Sequence, residues 1–368
     1  MNEKRAMVTL TINGSAVQAE EGQTILQAAR AAGIHIPTLC YHSDLTPGGN
    51  CRICVVEVKK ERLLQAACIF PVSEGMVVST DSERVVASRR KILELMLANH
   101  PQGDLICDAS GSSELYDVAQ EYQVSVPAWG SNGTRYVVDS DPNPFVRVDF
   151  NRCILCRRCL LACAEIQCRN VWGVAFRGFD EEIVAGAGTT MLEARCESCG
   201  QCVAYCRTGA LSNKMSYGLA RADQVTKVTT ACTYCGVGCQ FDLNLKDGRI
   251  IGVSSNPDAP FNGMALCVKG RYGYDFIYHP DRLTRPKVRR YLLEGAPRGD
   301  SRGEWVEVDW DTAMDITARK LRVARDTHGP DSVGVLSSAK CTNEENYLMN
   351  KFARQVIGTN NIDHCARL

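Results

Sequence analysis

Cysteine is the residue type in this sequence whose number most strongly suggests chemistry, because it occurs 20 times among 368 residues. The cysteines are bunched, and long stretches without cysteine separate the bunches. A disulfide scaffold suits small secreted domains, whereas this chain is long and begins without a visible secretory signal. Thiols three positions apart on tight turns are suited to a single metal centre. The pattern therefore predicts iron–sulfur or zinc sites rather than disulfides.

The first bunch follows a predicted hairpin and helix. Residues 8–12 alternate apolar and polar side chains, Asn13-Gly14 predicts a tight turn, and 15–19 can return as a second strand. A helix over 23–32 follows, ended by Gly33. The first cysteine set, with the spacing C-x10-C-x2-C-x13-C, is Cys40, Cys51, Cys54 and Cys68. The unit resembles a β-grasp ferredoxin, specifically the [2Fe-2S] domain of the large peripheral subunit of respiratory complex I; a zinc site is the alternative.

The most regular bunches are two copies of the spacing C-x2-C-x2-C-x3-C. They resemble the two-cluster bacterial ferredoxins, in which the fourth cysteine of each copy ligates the other cluster. The resemblance implies a [4Fe-4S] cluster on a second set, namely Cys153, Cys156, Cys159 and Cys206. It implies another on a third set, namely Cys196, Cys199, Cys202 and Cys163. We expect Cys168, outside the pattern, to be a buried thiol that binds no metal.

The segment 100–116 lies where the complex I family carries a cluster held by one histidine and three cysteines. His100 and Cys107 match that pattern, but Asp104 and Ser113 occupy the two other ligand positions. Thiolates are the usual ligands of such a cluster. We therefore expect the cluster to be lost and its helical scaffold to remain, with His100 as a surface or capping residue before Pro101.

The last bunch, the fourth set, reads C-x2-C-x3-C-x27-C and comprises Cys232, Cys235, Cys239 and Cys267. A hairpin turning at Asp247-Gly248 is predicted to return Cys267 to the other three. The spacing resembles the N-terminal [4Fe-4S] domain of the molybdenum or tungsten bis-pterin oxidoreductases. The resemblance makes Lys269 an electron relay between cluster and pterin; an ordinary solvated lysine is the alternative.

The pattern changes to α/β from Trp305 onward. Asp311 or Thr312 is expected to cap a helix that ends at Gly329-Pro330, and residues 332–336 are predicted to form a buried strand. A polar loop and a second helix follow, without a G-x-G-x-x-G motif or a P-loop lysine. We expect a single βα unit here, with no further strand to bury the faces of a sheet.

Residues 337–368 resemble the catalytic subunit of formate dehydrogenase. The resemblance implies a molybdenum- or tungsten-bis(molybdopterin guanine dinucleotide) contacted by four loop residues, which are Lys340, Cys341, Asn343 and Glu344. It also implies a metal-binding selenocysteine or cysteine directly after Leu368, so that no catalytic residue lies in this chain. We expect Cys365 to be a packed thiol and Cys341 a loop residue that binds no cluster.

Composition narrows the function classes further. Lys plus Arg and Asp plus Glu each number 42, so a basic nucleic-acid-binding protein is disfavoured. No apolar run reaches the length of a membrane span, and a cytoplasmic location is expected. The order of modules resembles the cytoplasmic formate dehydrogenases, whose partners are a diaphorase-like NAD/FMN subunit, a ferredoxin or a hydrogenase, and whose substrates are formate and CO2.

The sequence therefore predicts a multidomain α+β protein with one [2Fe-2S] and three [4Fe-4S] clusters. The expected modules are a β-grasp domain, a degenerate cluster region, a two-cluster ferredoxin domain, a [4Fe-4S] hairpin domain and the start of a molybdopterin-binding α/β domain, at 5–82, 83–125, 144–216, 228–284 and 285–368. The expected function is electron transfer in a formate dehydrogenase. An iron-only hydrogenase subunit, a complex I-like subunit and a stand-alone electron carrier are the alternatives.

Overall fold

The computed structural model describes residues 6–101, 113–130, 134–299 and 303–365. The chain divides into two compact units. The first unit comprises Met1–Val228, Asp242–Pro257 and Met264–Arg271, and the second comprises Thr229–Phe241, Asp258–Gly263 and Tyr272–Leu368. No helix within the described residues has the length and apolar character that crossing a membrane requires.

The first unit begins with a five-stranded mixed sheet. Its strands are β1 (Met7–Ile12), β2 (Ser15–Glu20), β3 (Val55–Val58), β4 (Gln65–Ala66) and β5 (Val77–Ser79). The spatial order is β2-β1-β5-β3-β4, with β1 antiparallel to β2 and parallel to β5. Asn13 and Gly14 turn the hairpin with φ of 49° and 81°, the positive values that a tight two-residue turn requires. The predicted hairpin is confirmed.

Helix α1 (Ile25–Ala31) packs against this sheet. Thr24 and Gln27 form a reciprocal capping box at its start, which satisfies two backbone amides that would otherwise lack partners. The apolar face of the helix, including Ile25 and Leu26, joins Leu10 of β1 in one core. This core anchors the loop that follows the helix and carries Cys40.

Two further helices pack beside the first cysteine loop. They are α2 (Glu83–Ala98) and α3 (Glu114–Glu121). Leu93 and Leu97 of α2 and Leu115 of α3 share a buried cluster with Cys40 and Cys51. The helices expected around the degenerate cluster region are therefore present, and they pack against two cysteines of the first set, Cys40 and Cys51.

The ferredoxin part, defined as the segment 144–216 that is expected to form a two-cluster ferredoxin domain, contains two short antiparallel strand pairs and short helices. Strands β6 (Val146–Val148) and β9 (Leu211–Asn213) pair antiparallel, as do β7 (Trp172–Ala175) and β8 (Glu182–Ala185). The helices are α4 (Arg158–Leu161), which continues as a π-turn over Ala162–Ile166, and α5 (Gln201–Ala204). Pairing of β6 with β9 closes the beginning and the end of this part onto each other.

A three-stranded sheet follows, in the order β10 (Thr226–Ala231), β11 (Gln240–Lys246) and β12 (Arg249–Ser255). Asp247 and Gly248 connect β11 to β12 with φ of 51° and 75°, so the predicted second hairpin is confirmed. Helix α6 (Val268–Tyr272) begins directly after Cys267.

The second unit contains the α/β segment. Its elements are β13 (Lys287–Arg289), α7 (Arg290–Leu293), β14 (Trp305–Glu307), α8 (Trp310–His328), β15 (Val335–Ser337), α9 (Asn343–Lys351) and β16 (Ile362–His364). Strand β13 pairs antiparallel with β14, and β15 pairs parallel with β16.

Three expectations for this segment are wrong. Helix α8 is capped by Asp309, whose Oδ1 accepts a hydrogen bond of 2.7 Å from the Thr312 amide, rather than by Asp311 or Thr312. The predicted strand 332–336 corresponds to β15, which starts later because Pro330–Ser332 forms a 3-10 turn. This strand is not fully buried, because Leu336 within β15 is 88% exposed. Pairing with β16 makes a β-α-β unit rather than a lone βα unit.

Candidate metal centres and cofactor cavity

The first cysteine set converges in a buried loop. All four thiols are buried, and Cys40 contacts both Cys51 and Cys68. Cys54 contacts Cys68 in turn. Hydrogen bonds from Cys51 and Cys68 lower the pKa of the Cys40 thiol, and the same contacts raise the pKa values of its two partners. Four soft thiol donors in mutual contact fit an iron–sulfur centre.

Backbone conformation shapes this loop around its sulfurs. Gly49 and Arg52 have positive φ values of 63° and 60°, which bend the chain twice between Cys40 and Cys54. The bends direct the amides of Asn50 and Cys51 at the Cys40 sulfur. A Cβ on Gly49 would lie 2.7 Å from Cδ1 of Ile69, so the loop packs tightly against its surroundings. Amides directed at sulfur favour the thiolate that metal binding requires.

The second set brings together three cysteines of one repeat with the last cysteine of the other. Burial raises the pKa of Cys153 and of Cys156 to about 12 each, and the sulfur of Cys206 adds to both shifts. Burial, followed by the charges of Cys156, Cys153 and Cys206, also raises the pKa of Cys159. Burial therefore keeps these thiols protonated and neutral, and a bound metal cation would be needed to stabilise their thiolate forms.

The third set is assembled in the corresponding way. Burial raises the pKa values of Cys196, Cys199 and Cys202, and Cys163 of the first repeat contributes to all three shifts. Cys163 reaches this position from the π-turn that follows α4. The structure thus places each crossing cysteine beside the other repeat, while ligation itself stays a prediction.

The two repeats share a local backbone geometry. The amide of Leu155 donates to Cys153 Sγ at 3.4 Å, and the amide of Ser198 donates to Cys196 Sγ at 3.3 Å. Leu155 and Ser198 both have φ of 53°. Leucine has no preference for positive φ, so residue types alone did not indicate these bends. The repeated amide–sulfur contacts are suited to stabilising thiolate ligands.

Neighbouring sets approach each other in sequence order. The charge of Cys40 acts on Cys156, which brings the first and second sets within electrostatic range. Cys202 acts on Cys159 in the same way and connects the second set with the third. Among the described residues, no group of three or more His, Cys, Asp or Glu side chains is arranged as a single-ion site. The cysteines of the first three sets are therefore grouped by thiol contacts and by the effects of their charges on one another.

His100 is buried rather than exposed, contrary to expectation. The residue is 2% exposed, and its Nδ1 lies 3.1 Å from the hydroxyl of Tyr116 on α3. Burial lowers the pKa of His100, and the charge of Arg152 lowers it further. Ser113 is also buried, at the start of α3. Asp104 and Cys107 lie outside the described residues, so the loss of this cluster stays a prediction.

The fourth set spans both units. In the second unit, the Cys232 amide donates to the Cys239 carbonyl at 2.7 Å, which closes the loop that carries Cys235. In the first unit, Cys267 and Lys269 lie at the start of α6, and Cys267 is exposed. Grouping of Cys267 with the other three, and the relay role of Lys269, stay predictions.

A cavity of about 680 Å³ in the second unit lies between the Cys235 loop and the loop that precedes α9. Lys340 and Asn343 line it, whereas Cys341 and Glu344 do not. The Asn343 amide group donates to the Gly236 carbonyl at 2.8 Å and joins the two loops. The four expected pterin contacts do not include the other polar lining residues, which are Ser337, Ser338, Asn346, Asn350, Asp363 and His364. Ser338 follows β15 directly, and ligands bind at such ends of parallel strands, whereas Asn346 and Asn350 lie within α9 and gave no such signal.

Two isolated cysteines are not where they were expected. Cys168 is exposed, with a φ of 55°, and is not a buried thiol. Cys365 is exposed as well, and its Sγ lies 3.5 Å from the Ser338 hydroxyl. Both thiols are exposed, so neither packs in a core.

Family comparisons agree with this division of the chain. Residues 5–83 match the 2Fe-2S iron-sulfur cluster binding domain, and 89–127 match the NADH-ubiquinone oxidoreductase-G iron-sulfur binding region. Residues 225–279 match the molybdopterin oxidoreductase Fe4S4 domain, and 282–368 match molybdopterin oxidoreductase.

Several relatives are similar over almost the whole chain. The NADPH-Fe(3+) oxidoreductase subunit alpha of Geobacter sulfurreducens is 38% identical, and a G-type subunit of the NADH-quinone oxidoreductase of Rhizobium meliloti is 34% identical. A Staphylococcus aureus protein provisionally named formate dehydrogenase is 30% identical. Each match covers 98% of this chain but only 39% to 40% of the relative. The chain therefore spans about two fifths of the length of these relatives.

A solved structure adds a match at the level of the fold. The crystal structure of an NAD+-reducing [NiFe]-hydrogenase in the H2-reduced state aligns with a TM-score of 0.51 and 28% identity. The alignment covers 58% of this chain and 91% of the hydrogenase chain. With a 2Fe-2S domain followed by 4Fe-4S and molybdopterin domains, the chain carries an iron–sulfur electron-transfer module of the molybdopterin oxidoreductase type.

Proposed function

We propose that the chain is the iron–sulfur electron-transfer part of a molybdenum- or tungsten-dependent formate dehydrogenase, which interconverts formate with CO2, a proton and two electrons. The observation that carries the proposal is the cavity shared by Cys235 and Lys340. A cysteine of a predicted cluster and a loop of the molybdopterin segment line the same space. That arrangement is what electron exchange between a pterin-bound metal and a cluster needs.

Bound clusters supply one-electron carriers, and the metal–pterin supplies the two-electron chemistry at formate. The chain itself would hold the [2Fe-2S] cluster with the first set and the [4Fe-4S] clusters with the second, third and fourth sets. Burial of the first set excludes water from its centre. Lys340 offers a cation to the phosphates of a guanine dinucleotide, while Asn343 fixes its loop on Gly236. Cys341 and Glu344 remain proposed pterin contacts that the cavity does not include.

The test is formate-dependent reduction of viologen by the full-length protein, purified anaerobically with pterin and metal. Lys340→Ala should lower pterin content and activity together, because a cation at the cavity is lost. Lys351→Ala, an exposed lysine at the end of α9, is the matched control and should change neither. The nucleotide sequence after codon 368 tests the expected selenocysteine or cysteine. If the wild-type protein contains pterin but does not reduce viologen with formate, the substrate assignment is contradicted.

A second candidate is an electron-transfer subunit of a pyridine-nucleotide-linked or hydrogenase complex. The similarity to an NAD+-reducing [NiFe]-hydrogenase and to an NADPH-Fe(3+) oxidoreductase subunit favours it. The sequence carries no G-x-G-x-x-G motif in its α/β segment, so a diaphorase-like NAD/FMN partner would have to bind the nucleotide. Reduction of the clusters by NADH or NADPH with such a partner, together with inertness to formate, would select this candidate.

A further inference from the structure

Three arginines are buried in the described part of the chain. Arg89 is 2% exposed, and Arg158 and Arg271 are 3% exposed. None of the three takes part in an ion pair with a carboxylate among the described residues. A guanidinium stays charged in proteins, and a buried charge without a partner is costly. Neutral hydrogen-bond partners or a nearby anion must therefore stabilise each of these charges.

Arg271 extends from α6 to the loop of the third set. Its Nε donates to the carbonyl of Cys199 at 2.9 Å, and an Nη donates to Gln201 and Ser255 at 3.2 and 3.1 Å. All three partners are neutral. Burial raises the pKa of the Cys199 thiol, and the Arg271 charge opposes that rise. The closest anionic group that this site can acquire is a thiolate-bound cluster.

Arg158 is the buried arginine near the second set. It is the first residue of α4, two positions after Cys156. Its Nε has no hydrogen-bond partner, and its Cζ lies 5.8 Å from the ring centre of Tyr205. The sulfurs of Cys156 and Cys206 act on its charge, as does Cys40 of the first set. Arg158 thus lies directly before Cys159 in the chain and contacts Tyr205, the residue that precedes Cys206.

Arg89 differs from these two. Its guanidinium donates to the Tyr122 hydroxyl at 2.7 Å and to the Val55 carbonyl at 2.8 Å, so its hydrogen bonds join α2 and the end of α3 to β3. The role of Arg89 is therefore structural, and we assign it no role toward a cluster.

We propose that Arg158 and Arg271 are positioning residues that act as fixed counter-cations for the clusters of the second and third sets. The inference rests on the cluster ligation in the proposed function. Reduction adds one electron to a cluster and no proton, so the reduced form is more negative than the oxidised form. A buried cation stabilises the reduced form more, and each arginine therefore raises the reduction potential of its cluster.

The exposed Arg169 provides a matched control. Its backbone amide donates to the carbonyl of Cys163, so it belongs to the same neighbourhood as the third set. Its guanidinium, however, pairs with Glu197 at 2.7 Å and is 41% exposed. Solvent and the carboxylate both cancel its field at the cluster. Arg169→Gln should leave the potentials unchanged.

The experiment is a redox titration monitored by electron paramagnetic resonance on the protein purified anaerobically with its clusters. For Arg271→Gln, the ratio of reduced to oxidised cluster at a fixed potential should fall about tenfold for one [4Fe-4S] signal, equivalent to about 59 mV. Arg158→Gln should shift the other cubane by a similar factor. Arg271→Lys keeps the charge and should retain most of the wild-type potential.

Iron content distinguishes a failure of the proposed function from a failure of this inference. Wild-type protein without iron at these cysteines would contradict the proposed function and this inference together. Full iron in Arg271→Gln with an unchanged potential would overturn the inference alone. If Arg271→Gln loses a cubane, the Arg271→Lys variant distinguishes the two possible roles of this residue. Retained iron and a wild-type potential in Arg271→Lys support a role of its charge. Loss of iron in Arg271→Lys as well assigns Arg271 a hydrogen-bonding role and overturns the proposal.

Discussion

One cysteine of each C-x2-C-x2-C-x3-C repeat lies beside the cysteines of the other repeat. Cys163 lies with the three cysteines of the second repeat, and Cys206 lies with those of the first. Each crossing thiol also receives a backbone amide, from Val171 at 3.3 Å and from Leu211 at 3.4 Å. Both therefore have the surroundings of a thiolate ligand.

Replacing a crossing cysteine should remove the cluster of the opposite repeat. Cys163→Ala is expected to lose about four iron atoms, the content of one cubane, and Cys206→Ala to lose the other cubane. Iron analysis and electron paramagnetic resonance measure this. Cys168→Ala, which removes an exposed thiol nearby, should keep all iron. Loss of iron in Cys168→Ala, or full iron in Cys163→Ala, would show that the cysteines are assigned wrongly.

His100 should make stability depend on acid. Burial, together with the charge of Arg152, lowers its pKa below the ordinary value of 6.5. The unfolded chain takes up a proton before the folded protein does, so the stability present above about pH 6.5 is lost as the pH falls below it. His100→Gln should flatten this loss in denaturant titrations between about pH 7 and pH 5. His35→Gln, at a 70% exposed side chain, is the control, and equal slopes in wild type and His100→Gln would refute the prediction.

At the scale of elements, the contact between the Cys235 loop and α9 depends on a glycine. A Cβ on Gly236 would lie 2.7 Å from Oδ1 of Asn343, which is the residue that donates to the Gly236 carbonyl. The two loops approach this closely because position 236 carries no side chain.

Gly236→Ala should therefore destabilise the second unit by about 1–3 kcal/mol through overpacking. Thermal unfolding measures the effect. Gly334→Ala is the matched control, because nothing lies within 4 Å of its added Cβ. Adding Asn343→Ala should relieve part of the penalty, since the two changes share one contact. Additive effects of the two substitutions would mean that the contact does not join the loops.

Elements with strong local signals were predictable from the sequence, and elements set by distant partners were not. Asn13-Gly14 and Asp247-Gly248 specify their hairpins because these residue types tolerate positive φ. The positive φ of Leu155 follows from wrapping the chain around sulfurs, which the residue type does not reveal. The burial of His100 depends on the packing of α3 sixteen residues later. Cysteine spacing predicted which thiols lie near one another in the first three sets, but the cavity-lining Asn350 carried no local signal.

At the scale of the whole molecule, the predicted ligands are part of the hydrophobic core. Cys163 and Cys202 belong to a buried cluster that includes Val146 and Met191, and other cysteines of the second and third sets pack against it. The core of this part of the first unit is thus organised around the predicted ligands. Metal binding and folding are expected to be coupled in such a protein.

Removing iron should unfold much of the first unit. The protein with its clusters should contain about 14 iron atoms, from one [2Fe-2S] and three [4Fe-4S]. After chelation under reducing conditions, the cooperative thermal transition followed by circular dichroism should shift to lower temperature or disappear. Anaerobic reconstitution should restore it. An identical transition with and without iron, or stoichiometric zinc in place of iron, would contradict the cluster assignment.

If Cys163 and Cys206 each ligate the cluster of the other repeat, as proposed, this exchange should also constrain the order of biosynthesis. When residues up to 163 have left the ribosome, the first repeat offers three of its own thiols and one that points toward a partner not yet made. A cubane built at that moment would expose an open iron corner to oxygen until Cys206 emerged. Because β7 and β8 lie between the repeats, a ribosome has to translate that hairpin before either cage can be closed. Cluster delivery should therefore follow translation of the whole ferredoxin part, and a pause before residue 206 would yield oxygen-sensitive nascent chains.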